Sequence, residues 1–322
     1  MSTDEAVGRI RIDTLDLFMD MAFYTPLCRP EITVRRVAPV QIRQCTWHRH
    51  HPVNSCAYNI VDRFVLPDGF DDAPFGPVVR LPQTCWLSTN TDGAPSPPPP
   101  RAELGLPNGA LVLCALVPPL MVDPQTFALW MDMLRQLPQA VLWLPSYPAV
   151  ARKNLSDAAR AAGIDVTRII YLPNGTRAQT LARIQAADLF VDPLRFNANY
   201  GLVDALRMGV PAVSCAGNNM ASRLGGSIIR AAGLPECVVD SPQDLLNKVV
   251  GLGQNGTALA ALRSRLTAQQ ATAPLFDPRA RISEWEWMWA EMIERQRSGS
   301  APVAFDVSPQ PVSEAARVVV KP

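Results

Sequence analysis

The stretch YLPNGTRAQTLARIQAADLFVDPLRFNANYGLVDALRMGVPAVSCAGNNMASRLGGSIIRAAGLPE, from Tyr171 to Glu236, decides the fold. An apolar run, Leu189 to Val191, ends at Asp192-Pro193. A polar loop, Arg195 to Tyr200, leads into a helical pattern that begins near Gly201 and contains Asp204. That order predicts a strand, a loop and a helix N-terminus, whose first N–H groups lack intrahelical partners and so favour anions. The unit repeats at once: Val210 to Cys215 reads as a strand, Ala216 to Asn219 as a polar turn and Ala221 to Ala232 as a helix. Two consecutive βα units with polar turns at the strand ends describe one edge of a nucleotide-binding sheet.

The alternation continues on both sides. Strands are expected at Leu111–Val117, Ala140–Leu144, Ile169–Leu172 and Cys237–Val239, with helices at Pro124–Leu137, Val150–Ala162, Arg177–Ala186 and Pro242–Leu252. Strands alternating with helices imply right-handed crossovers and a parallel sheet covered on both faces, an α/β fold. Helices Thr257–Gln270 and Pro278–Gln296 follow. The clearest boundary is the proline-rich stretch 95–100, too stiff for a helix or a central strand. The expected division is a partial N-terminal domain over 1–94, the linker 95–100, a nucleotide-binding domain over 101–276, a closing helix that packs back over 277–298, and a disordered tail over 299–322. The first of these carries strands near Thr14–Met19, Val40–Cys45, Tyr58–Phe64 and Val78–Leu81.

Composition narrows the function. Of 322 residues 48% are apolar, enough for packed cores, and the net charge of +1 gives no reason to expect nucleic acid or an anionic membrane. The start, MSTDEAVGRIRID, lacks the apolar core of a signal peptide, and no apolar run is long enough to span a bilayer. Seven scattered cysteines suit a reducing compartment, so a soluble cytoplasmic protein is expected.

The phrases LPNGTRAQTLARIQAADLFVD, DALRMGVPAVSCAG, ASR and RAAGLPE resemble the catalytic half of the protein O-GlcNAc transferases. YTPLCRPEI, RRVAPVQI, RAELGLPNGA and PLFDPRA extend the resemblance, in family order, from about Ile12 to Ser298. The resemblance implies a glycosyltransferase-B fold with one complete Rossmann-like domain and a partial one before it. It implies a UDP-sugar donor, Ser or Thr hydroxyls of a protein as acceptor, and no metal or other cofactor. In that family the N-terminal domain is larger, so a companion chain completing it is a further expectation.

The resemblance also assigns positions. Asp204 aligns with the acidic residue that binds the ribose hydroxyls; the alternative is a surface aspartate favoured by the helix dipole. Asn199, Tyr200 and Gly201 replace a His-Thr-Thr phosphate loop, leaving the helix N-terminus and the small Gly201 to approach the diphosphate. The family's catalytic lysine falls on Met121, and a thioether cannot neutralise a phosphate. Arg177 or Lys153 could supply a cation instead, Arg177 better placed in the loop near uracil and diphosphate; otherwise it is an exposed arginine in a first turn. A glycine-rich loop of the family maps onto Thr46–Pro52, where His48, His50 and His51 lie near Cys45; a solvated basic loop fits better than a metal site, since adjacent loop residues seldom converge on one ion. Two functions follow: transfer of N-acetylglucosamine or a related sugar from UDP to protein hydroxyls, or nucleotide or partner binding without turnover.

Overall fold

The computed structural model describes residues 1–21, 29–44, 56–70, 76–87 and 96–309. The Thr46–Pro52 loop with its three histidines, Cys45 and the start of the proline-rich stretch lie outside them. The chain divides into two compact units, Met1–Leu87 with Asp277–Pro322, and Ser88–Phe276.

In chain order the first unit opens with α1 (Thr3–Ile12), β1 (Leu17–Asp20), α2 (Pro30–Val34), β2 (Val40–Gln44), β3 (Tyr58–Asp62) and β4 (Val78–Leu81). The second runs β5 (Leu111–Cys114), α3 (Pro124–Gln136), β6 (Ala140–Leu144), α4 (Ala149–Ala161), β7 (Ile169–Tyr171), α5 (Arg177–Ile184), β8 (Leu189–Val191), α6 (Tyr200–Arg207), β9 (Ala212–Cys215), α7 (Leu224–Ala231), β10 (Val238–Val239), α8 (Pro242–Gln254) and α9 (Gly256–Gln269). The chain then returns to the first unit with α10 (Pro278–Arg297) and β11 (Phe305–Asp306).

The second unit has a parallel sheet of order β10-β9-β8-β5-β6-β7. Apart from Ser214 in β9 its strands are apolar runs, because helices cover both faces; every residue of β6, β8 and β9 is buried. Side chains cap the helix starts. Asp123, Ser241 and Asp277 each accept first-turn N–H groups ahead of a proline, which fits a position whose own N–H has no partner. Thr176 and Gln179 form a capping box on α5.

The first unit has a five-stranded parallel sheet, β1-β2-β3-β4-β11, with Ile42, Ile60 and Val79 fully buried. Three elements here differ from the sequence expectation, the short α2 being the first of them. Residues 3–12, to which the sequence reading assigned no element, form α1 behind a Ser2–Glu5 capping box. The tail expected to be disordered from 299 onward instead places Phe305–Asp306 beside β4. The Phe305 ring meets Tyr58 and Trp287 edge-on at 6.0 and 6.2 Å, Arg295 stacks over it, Asp306 pairs with Arg63, and Val307 is buried. Those contacts hold a strand too short to have a pattern of its own. Truncating the chain after Gly299 is expected to cost about 3 kcal/mol in urea unfolding, the burial of one to two large apolar side chains. It would also uncover the β4 edge and give concentration-dependent association in sedimentation runs.

Candidate functional site

The strand order fixes where a ligand would sit. From β5 the chain moves outward to β6 and β7, then crosses back to place β8 on the other side of β5. The loops after β5 and β8 therefore diverge at a topological switch point, and the crevice beyond the carboxyl ends of those strands is the favoured ligand position in open α/β sheets.

Both loops are tied down. After β5, the buried Tyr147 donates its hydroxyl to Val117 O at 2.6 Å, and a single 3₁₀ turn covers Pro119–Met121. Burial pushes the Tyr147 phenol above its ordinary pKa, so it stays a donor. Asp123 accepts from Thr126 Oγ1 at 2.5 Å, and that hydroxyl in turn accepts from Leu194 N at 3.0 Å, stitching the β5 loop to the β8 loop. After β8, the fully buried Asp192 accepts from Ala198 N at 2.7 Å and from Ser214 Oγ. Desolvation raises its pKa to about 7, against the lowering effect of those two donors. Asn197, also fully buried, donates to Pro193 O and accepts from Gly225 N. A Cβ on Gly225 would lie 1.9 Å from Asp192 Oδ2, so only glycine lets α7 approach this carboxylate. Asp192, Asn197 and Thr126 are structural determinants that the sequence reading did not single out; the only signal was a polar residue closing an apolar strand.

The predicted site residues gather at this edge. Asn199 is the N-cap of α6, its side chain accepting from Tyr200 N at 2.6 Å. Tyr200 is 69% exposed. Asp204, one helical turn on, is buried. Arg177 opens α5, and its guanidinium grips both Asp204 oxygens, Nη2 to Oδ1 at 2.6 Å and Nη1 to Oδ2. Asp204 is thus neither a surface aspartate nor an isolated one, and Arg177 is not a plain first-turn arginine.

Gly201 has a different role from the one expected. A Cβ there would meet Leu116 O at 2.0 Å, so the β5 loop already fills the space that a small residue would have offered to a phosphate. Gly201 lets the backbone of α6 pass under that loop. Met121 is buried at the end of the 3₁₀ turn, while its neighbour Leu120 is exposed. Lys153 pairs with Asp157 on the exposed side of α4. On the next turn Asn219 and Ser222 form a capping box and Arg223 donates to Gly217 O, so the Gly217–Arg223 segment closes on itself. No helix among the described residues is long and apolar enough to cross a membrane.

Two parallel-sheet α/β units, the second with its polar side chains converging on a switch-point edge, have the architecture of a glycosyltransferase-B-like protein. The chain belongs to glycosyl transferase family 41, whose sequence model matches residues 98–284. A probable UDP-N-acetylglucosamine–peptide N-acetylglucosaminyltransferase SEC of Arabidopsis thaliana is 27% identical over 313 residues, 95% of this chain and 32% of that relative. The UDP-N-acetylglucosamine–peptide N-acetylglucosaminyltransferase of Caenorhabditis elegans is 28% identical over 199 residues, 62% of this chain and 17% of its own length. The chain thus spans about a third, or less, of the length of these curated relatives. Among solved structures, a mutant O-GlcNAc transferase of Thermobaculum terrenum superposes with a TM-score of 0.76 at 24% identity, covering 91% of this chain and 56% of that one.

Proposed function

We propose that this protein binds a UDP-sugar at the carboxyl edge of its second sheet and transfers the sugar to a Ser or Thr hydroxyl of a protein acceptor. The observation that carries the reading is the Arg177–Asp204 pair at the switch point. A carboxylate there suits ribose hydroxyls, and a guanidinium suits a diphosphate. The relatives named as peptide N-acetylglucosaminyltransferases support N-acetylglucosamine as the sugar and a peptide as the acceptor. In the transfer, the acceptor oxygen bonds to the anomeric carbon while the bond from that carbon to the diphosphate oxygen breaks. The hydroxyl proton passes to water, and UDP departs with the electron pair. Charge on the departing diphosphate falls to Arg177, without a resident metal in the scheme. The setting we assign is cytoplasmic.

A second reading, nucleotide binding without turnover, draws on Met121. At the position where the family's lysine is expected, the loop after β5 presents a buried thioether flanked by the apolar Leu120 and Val122. Calorimetric titration with UDP and then UDP-N-acetylglucosamine, followed by a radiolabel transfer assay on a peptide pool, separates the two. UDP binding that weakens by about tenfold or more in Asp204→Ala, the value of a lost charged hydrogen bond, is the expected result. Label reaching the peptides selects transfer, and binding with no label moved selects the second reading. No UDP binding at millimolar ligand sinks both.

A further inference from the structure

Arg177 commits two guanidinium nitrogens to the two oxygens of one carboxylate. The Asp204 side chain is only 10% exposed, whereas that of Arg177 is 50% exposed. The arginine is therefore the partner able to swing, while the carboxylate is fixed in α6. Its backbone need not move, because the Thr176–Gln179 capping box fixes the first turn of α5 from which it projects. Tyr200 lies four residues before Asp204 on α6, hence on the same helix face, and is exposed.

If the carboxylate is the ribose seat, the ion pair occupies that seat before any ligand arrives. A neutral nucleoside must break a bidentate, charge-assisted contact and brings no anion of its own in exchange. A nucleoside diphosphate brings its own anion, to which the guanidinium can pass. We propose that Arg177 is an exchangeable latch, holding Asp204 in the unliganded protein and transferring to the diphosphate when a nucleoside diphosphate binds. The site then selects nucleoside diphosphates over nucleosides by making the nucleoside alone displace the latch. This rests on the UDP-sugar reading of the site and adds its selectivity.

The latch predicts opposite signs for two ligands. In the full chain, Arg177→Met should weaken UDP binding by about tenfold or more, the value of a charged hydrogen-bond partner, and tighten uridine binding severalfold. Arg177→Lys keeps the cation but loses the fork, so it should fall between wild type and Arg177→Met for both ligands. The unsubstituted protein offers a test free of folding effects: raising salt from about 0.05 M to 0.5 M screens the exposed half of the pair, so uridine should bind more tightly while UDP binds less tightly. Titrations in which both ligands weaken together, or neither responds, overturn the latch and leave Arg177 as a support for α6. If the unsubstituted protein binds neither ligand, the nucleotide-site reading falls and the latch with it.

Discussion

Replacing Met121 with lysine is expected to raise the rate of sugar transfer by on the order of 100-fold, the usual worth of one donor aimed at developing charge. The leaving UDP carries its growing charge on the diphosphate. On the proposed reading the β5 loop would meet it at the switch point with Pro118, Pro119, Leu120 and Met121, none of which is a cation. Methionine and lysine share an unbranched stem, so the lysine should thread the same packing and put its ammonium just beyond the methionine terminus. The gain should appear in kcat more than in KM, because the interaction strengthens as charge develops. In the ligand-free protein the same change places a charge at a position only 8% exposed. The melting temperature should therefore fall by several degrees and recover when UDP is added. Equal transfer rates for Met121→Lys and wild type, with UDP affinity also unchanged, would show that Met121 does not face the diphosphate.

That prediction draws on a position the sequence identified and a setting only the structure supplies. The second sheet was legible because Leu111–Cys114, Ala140–Leu144 and Leu189–Val191 are uninterrupted apolar runs, each followed by a proline-containing connector that leads to a helix. In the first unit strands β1–β4 were found but α1, α2 and β11 were not. A ten-residue helix depends on its cap and its neighbours more than on propensity, and a two-residue strand has no period to detect. At the site, Arg177 and Asp204 were each singled out, but nothing in the sequence says that residues 27 apart on separate helices share a bidentate contact. Gly201 was read as room for a ligand, whereas its missing side chain is room for Leu116 O. A glycine marks a close approach without saying what approaches.

The same limit hid Asp192, whose removal should have the largest effect on stability. Asp192→Ala leaves Ala198 N–H and Ser214 Oγ without a partner in a dry site and opens a small cavity, a loss of about 3–5 kcal/mol. Asp192→Asn should be far milder, its amide oxygen accepting from Ala198 N and its amide nitrogen donating to Ser214 Oγ. The two variants should also differ in pH dependence. The folded pKa of Asp192 is raised to about 7 from an ordinary 3.8, so between those values the native state holds a proton that the unfolded chain has released. Stability from this group is fully present below about 3.8 and is lost as pH rises through about 7, a ceiling of about 4 kcal/mol at about 1.4 kcal/mol per pH unit. Glu284, buried beside Arg281 in α10, is raised in the same direction by desolvation, and Glu284→Gln provides the control for its share. Urea unfolding at pH 5 and pH 8 reads the difference: wild type should lose stability on going to the higher pH, and Asp192→Asn should lose markedly less. Parallel losses in the two proteins would mean that Asp192 is ionised in the fold. The two loops of the switch point would then be held around a buried charge rather than a neutral acid.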